Sequence, residues 1–275
     1  MVMKTVVSYI GLCAFAALAL TACKKVDAPK VTGFTATIAQ LEAGTKTHAV
    51  KFSLVWDEGD QIKVLDEESA SFDFTVSSSE GTTATFVADS PEKVAFLADL
   101  EAADYVAFYP NAVVDGEYVK LTIPAEQEYV PGFSFATDTY PMVGFNEGKS
   151  FKFLSNAGFL NVSFRAPEGE TRQVDKVVLI ANEPVAGKLA YSKNGMSYLF
   201  YGESNVITLK STTKLEVTDN SDTDFTFILP EGALFGGFTV EVYDGETLLG
   251  QYTTTKVQNL IVAQTFREMP VQVLL

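Results

Sequence analysis

The chain has little sulfur or imidazole chemistry to offer: 275 residues contain two cysteines, one histidine and one tryptophan. Cys13 lies inside an N-terminal leader-like segment, so a chain cut ahead of Cys23 keeps a single cysteine and can form no internal disulfide. The remaining 253 residues (275 minus 22) hold His48 as their one imidazole, which removes most thiol and transition-metal chemistry. Dense Lys/Arg clusters are missing as well. A formal charge of -15 repels phosphate backbones and argues against a nucleic-acid partner. Patterns for long amphipathic helices are also absent, and strand signals take their place.

What is present begins at the N-terminus. Residues 1–22 read "MVMKTVVSYIGLCAFAALALTA", with a charge at Lys4, an uncharged apolar run and small residues ahead of Cys23. This is the layout of a secretory signal peptide. The run from Val6 to Ala22 is at the short limit for a membrane span and is interrupted by Ser8, Gly11 and Thr21. Leu20, Thr21, Ala22 and Cys23 resemble a bacterial lipobox, in which cleavage precedes a lipid-modified cysteine. A thioether-linked lipid at Cys23 anchors the chain firmly, since each buried methylene contributes about 0.8 kcal/mol. Residues 23–31, with Lys24, Lys25, Pro29 and Lys30, read as a short polar tether.

With 47% hydrophobic and 20% charged residues, the chain can bury one or two cores, and typical domain sizes favour two. In "KTHAVKFSLVW", residues 46–56, Val50, Phe52, Leu54 and Trp56 alternate with polar residues. "DEGDQIKVL" follows, and the two segments predict a hairpin. Further strands are expected at "SFDFTV", "TATFVA", "YVAFYP" and "YVKLTIP". One short helix is expected in 90–103, capped by Ser90 with Pro91 in its first turn. A second strand-rich block runs from "SFKFLSNAGFLNVSFRA" to "MPVQVLL", which is either the last strand of its own domain or a donated strand. The expectation is an all-β chain of antiparallel β-sandwiches, with domains at 32–148 and 149–275.

Groups that suggest chemistry have simpler explanations. His48 is out of phase with the apolar set of its strand and lacks a neighbouring catalytic motif. Asp219, Asp222 and Asp224 in "DNSDTD" offer oxygen ligands, but an EF-hand needs a glycine and a glutamate where Asp224 and Pro230 stand. Asp57, Glu58 and Asp60 cluster on a turn, which does not give the spacing of a glycosidase carboxylate pair. The 21 Phe and 11 Tyr are read mainly as core, with Tyr105, Tyr109, Tyr129 and Tyr140 as the candidates for exposure and glycan contact. No catalytic, cofactor-binding or metal-ligating residue is expected, and Cys23 is the predicted lipidation site.

The segments "THAVKFSLVWDEGDQIKV", "ADYVAFYP", "LTIPAEQEY" with "YPMVG", "FKFLSNAGFLNVSF" and "VAGKLAY" resemble, in order, those of fimbrillin-like lipoproteins, the type V pilins. The resemblance implies two consecutive transthyretin-like β-sandwich domains and export to the outer membrane. It also implies that proteolytic removal of a first strand, here "KVTGFTATIA", lets a strand from another pilus subunit fill the groove. The family's arginine-specific cleavage site has no counterpart, because no arginine lies between Cys23 and Arg165. Lysines 24, 25, 30, 46 and 51 are the alternatives, or the subunit keeps its lipid and first strand as an anchor. The sequence leaves stalk, anchor and tip roles open. A surface lipoprotein that binds glycan or another cell-surface ligand is the competing expectation.

Overall fold

Alternating apolar side chains become strands when one face can be buried, and here the alternation builds four sheets. A computed structural model of the chain describes residues 32–43, 54–130, 134–135, 138–255 and 259–275. The predicted signal peptide, the tether, Cys23, His48 and the lysines at 24, 25, 30, 46 and 51 lie outside the described residues. Strands are numbered along the chain.

The first sheet closes into a barrel of seven strands in the order β1-β12-β11-β6-β3-β4-β5. They are β1 (Gly33–Ile38), β3 (Gln61–Leu65), β4 (Ser71–Glu80), β5 (Thr83–Val87), β6 (Val106–Tyr109), β11 (Met142–Glu147) and β12 (Ser150–Ser155). Beside it stands a four-stranded sheet, β16-β15-β8-β7, made of β7 (Val113–Asp115), β8 (Tyr118–Ile123), β15 (Ala186–Ser192) and β16 (Tyr198–Ser204). A third sheet runs β18-β13-β21-β2, with β22 also on β13. Its strands are β2 (Glu42–Ala43), β13 (Ala157–Arg165), β18 (Thr223–Pro230), β21 (Thr265–Glu268) and β22 (Gln272–Val273). The fourth, β10-β9-β17-β14-β19-β20, contains β9 (Glu126–Val130), β10 (Ser134–Phe135), β14 (Thr171–Ala181), β17 (Val206–Thr218), β19 (Phe238–Asp244) and β20 (Thr247–Thr254).

The all-β expectation holds. The expected helix forms as α1 (Pro91–Phe96), where the Ser90 side chain accepts a hydrogen bond from the Lys93 amide. Among the described residues no helix is long and apolar enough to cross a membrane.

Three expectations need correction. The sheets are mixed rather than purely antiparallel: β1 with β12, β2 with β21, β9 with β17, and β13 with both β21 and β22 are parallel pairs. The expected 46–65 hairpin is not formed by its described part, since residues 54–57 carry no strand and β3 pairs with β4 and β6. Leu54 and Trp56 are nevertheless both buried, so the alternation marked the right side chains. Trp56 sits edge-on to Phe86, Tyr109 and Phe153 at centroid distances of 5.1–5.6 Å. Finally, the strand Ser150–Ser155, assigned above to the far side of residue 148, is a barrel strand. Its alternate residues Phe151 and Phe153 are needed to fill the barrel, and β1 and β11 flank it.

The described residues belong to one unit, Val31–Leu275, with two hydrophobic clusters. The N-terminal and C-terminal parts of the sequence interleave. Strand β8 pairs with β15, while β9 pairs with β17. Strand β13 stands between the two clusters and is buried at eight successive positions. Ala157 and Phe159 join the barrel-side cluster, whereas Leu160, Val162 and Phe164 join the other. "MPVQVLL" contributes to its own fold: β22 pairs with β13, and Leu274 is buried beside Gly250.

Gly158 lies on β13 where the chain at Ile261 and Val262 crosses so closely that an added Cβ would overlap both residues. Gly158→Ala is expected to lower unfolding stability by roughly 1–3 kcal/mol through overpacking, measured by urea denaturation.

Candidate functional site: the closing strand of the barrel

Strand β1 closes the barrel, and its local sequence explains how. In "GFTATI", Phe34, Ala36 and Ile38 point inward and are buried, while Thr35 and Thr37 face solvent. Phe34 stacks on Phe86 at 5.2 Å and meets Phe74 and Phe151 edge-on at 5.1 Å. Gly33 has no Cβ because the Phe86 carbonyl passes 2.5 Å from where one would lie. On one side β1 pairs antiparallel with β5, and on the other it makes the barrel's parallel pairing, with β12. The Ile38 amide donates to Thr82 O at 2.8 Å and the Ala39 amide to Phe153 O at 2.8 Å. Lifting β1 away would bare the edges of β5 and β12 and a floor of phenylalanine rings. Each of the two large side chains Phe34 and Ile38 contributes about 1.5–3 kcal/mol by burial, so an empty groove strongly favours refilling by an alternating apolar strand.

The residues that the sequence singled out for chemistry are drawn apart. Asp219 accepts from the Gly169 amide at 2.7 Å, and Asp222 pairs with Arg165. Asp224 accepts from Asn161 and Ser163. Asp219 therefore holds the turn at Gly169 while Asp222 and Asp224 hold separate positions along β13, and among the described residues no group of three or more His, Cys, Asp or Glu is arranged to hold a metal ion. Of the turn carboxylates, Asp60 is buried, whereas Glu58 is exposed.

Tyr105, Tyr109 and Tyr140 are buried and Tyr129 is half-buried, so the expectation of exposure fails. Each hydroxyl of the buried three has an internal partner, which permits burial: Tyr105 donates to Phe96 O, Tyr109 to Asp60 Oδ1 and Tyr140 to Val55 O. The glycan expectation loses the aromatic platform on which it rested. Among the described residues the exposed tyrosines are Tyr118 and Tyr201, both on the outer face of the four-stranded sheet. A cleft of about 690 Å³ at one end of that sheet is lined by Asp66, Glu67, Asp104, Glu117 and Lys193 among others. Two of its carboxylates hold loops, with Asp66 accepting from the Ala70 amide and Glu67 from the Asp104 amide.

No family model and no curated protein matches the chain. Solved structures do. A candidate cell adhesion protein from Bacteroides ovatus superposes with a TM-score of 0.50 at 14% identity, covering 80% of this chain and 84% of its own. One from Bacteroides uniformis gives 0.51 at 14% identity, covering 84% and 88%. The chain shares the fold of these two proteins.

Asp60 gives this region a pH signature. Burial raises its pKa above the usual carboxylate range, opposed by hydrogen bonds from the Asp57 amide and Tyr109 and reinforced by the charges of Asp57 and Asp138. A folded-state pKa above the unfolded value means that protonation favours the fold. This contribution is complete below the unfolded-state pKa and is lost as pH rises through the folded-state one. Urea unfolding from pH 4 to 7 should show the native chain losing stability relative to Asp60→Asn as pH rises. Parallel profiles would show that burial of this carboxylate does not govern the site.

Proposed function

We propose that the chain is a fimbrillin-like pilus subunit or membrane-bound pilus anchor, not an enzyme, joined to other pilus subunits by strand addition. In this reading residues 1–22 are a signal peptide, and Cys23 carries the lipid that holds the protein in the outer membrane, at the cell surface or in the fimbrium. Residues 23–31 are the tether. Two transthyretin-like sandwich domains follow, the first running past 148 to the end of β12.

The observation that carries this proposal is the position of β1. It is the first strand after the proposed tether, and it fills a barrel gap between β5 and β12 with alternating buried side chains. Such a strand can be replaced by an equivalent one from another chain, because main-chain hydrogen bonds supply the affinity and alternate pockets the register. A replacement strand supplied by the next subunit makes a head-to-tail contact, which propagates as a filament. The shared fold with candidate cell adhesion proteins from two Bacteroides species supports a place on the surface.

Trimming of the isolated protein by a trypsin-family protease that removes β1 is expected to yield SDS-resistant ladders on a gel. A product that stays strictly monomeric after loss of β1 argues against strand addition. Mass spectrometry of the native N-terminus separates the two roles: an anchor retains acylated Cys23, whereas a stalk subunit starts downstream of it.

A further inference from the structure

The ends of the sheets are not equally protected. An unpaired strand edge invites another chain, and proteins usually blunt it by shortness, charge, bulges or a covering group. At β18 the buried Gln127 side chain does this by imitating a peptide, accepting from the Ile228 amide at 3.0 Å and donating to the Ile228 carbonyl at 2.9 Å. At β20 the Leu275 amide donates to Leu249 O, and a register shift interrupts the pairing with β19. Strands β2 and β10 are two residues long, and β7 is three residues long with the Asp115–Lys120 ion pair beside it.

Strand β16 has none of these devices from Tyr198 to Tyr201; its register shift against β15 and its Glu203–Lys188 ion pair lie at the far end. It is seven residues long, ends its sheet, and pairs with β15 among the described residues. Its Leu199 and Tyr201 are 54% and 52% exposed, and Met196 in the adjoining turn is 81% exposed. The Ser192 amide donates to Ser197 O, which sets the phase of the hairpin. Residues 197, 199 and 201 turn their backbone groups toward β15, so Tyr198 and Phe200 turn theirs outward, with Gly202 following in the same phase.

We infer that β16 is a self-association edge, which pairs antiparallel with β16 of a second copy about a two-fold axis at Phe200. In this register Phe200 opposes Phe200 and Tyr198 opposes Gly202, so the outward backbone groups of both chains meet. Leu199 of each copy opposes Tyr201 of the other, at the closer, non-hydrogen-bonded type of pair. Charge is compatible with this register. The hairpin tip carries Lys193 and the far end of the strand carries Glu203, which also pairs with Lys188 of its own chain at 3.3 Å, and the two-fold brings the tip of one copy beside that end of the other. The two four-stranded sheets then become one sheet of eight strands. The contact is isologous and closes on itself, and it uses no part of β1, so it goes beyond the strand-addition reading and does not depend on it.

Sedimentation velocity of the untrimmed chain over a concentration series tests the inference. A reversible, SDS-sensitive dimer is expected, and Leu199→Lys/Tyr201→Lys should weaken it at least about tenfold by removing both apolar pairs and opposing like charges. Both side chains are exposed, so circular dichroism should show the variant folded. The register has its own check, because non-hydrogen-bonded pairs suit a disulfide. Mixing Leu199→Cys with Tyr201→Cys under oxidising conditions should cross-link those two positions, identified by peptide mass, while neither variant alone cross-links there. A monomer at every concentration, a dimer indifferent to the double lysine variant, or cross-linking unrelated to the 199–201 pairing overturns the proposal. Ladder formation after removal of β1 is read separately and can succeed or fail independently.

Discussion

Burial of β13 on both faces is the constraint on which the rest of the structure depends. A strand with water on one face needs one apolar set, but this one needs two. The run "AGFLNVSFR" supplies them, with Phe159 turned to the barrel-side cluster and Leu160, Val162 and Phe164 to the other. Its partner β18 is divided in the same manner: Ile228 joins the first cluster, while Phe225, Phe227 and Leu229 join the second. The two cores consequently share a wall. Displacement of β13 would disturb both, and the crossing chain at Ile261 can approach it only because residue 158 has no side chain.

Two-sided burial raises a polar problem, and the side chains solve it locally. Asn161 and Ser163 lie on the same face as Phe159 and are buried, yet Asn161 donates to Asp224 and Ser163 and accepts from Thr226. A fully partnered network of this kind avoids the penalty of an orphaned buried group and fixes the β13–β18 register, since a one-residue slip would bring polar side chains against an apolar core. Gln127 performs a related task between chain segments. It belongs to β9 yet satisfies the backbone of β18, so β9 joins its own sheet by hydrogen bonds while sealing the edge of another.

The sequence made local structure legible because local structure follows side-chain period. Strand patterns marked β4, β5, β6 and β8, the family resemblance marked β1, and the Ser90–Pro91 pair marked α1. Pairing was less legible. Nothing in "SFKFLS" distinguishes a barrel strand from the first strand of a new domain, because Phe151 and Phe153 alternate identically in either setting. The same blindness affected the tyrosines. Tyr105, Tyr109 and Tyr140 carry polar tips that look suited to solvent, but each tip meets an acceptor contributed from elsewhere in the sequence, at Phe96, Asp60 and Val55. The acidic string 219–224 misled in the opposite direction: its carboxylates are adjacent in sequence but serve Gly169, Arg165 and Asn161 separately.

Closure and openness are distributed unevenly over the sheets, and this unevenness bears on assembly. The barrel has no edge while β1 is in place, so before any trimming it offers no template to a neighbour. The four-stranded sheet keeps its longer edge at β16, away from β1 in both sequence and sheet. In the proposed strand addition a β1 vacancy would make a one-way contact, because the donor and the acceptor would be different surfaces, whereas in the proposed β16 pairing a like edge would oppose a like edge. The first geometry extends without limit and the second stops at two. If both proposals hold, the chain can pair through β16 before β1 is removed without beginning a filament, because the closed contact leaves the barrel groove filled.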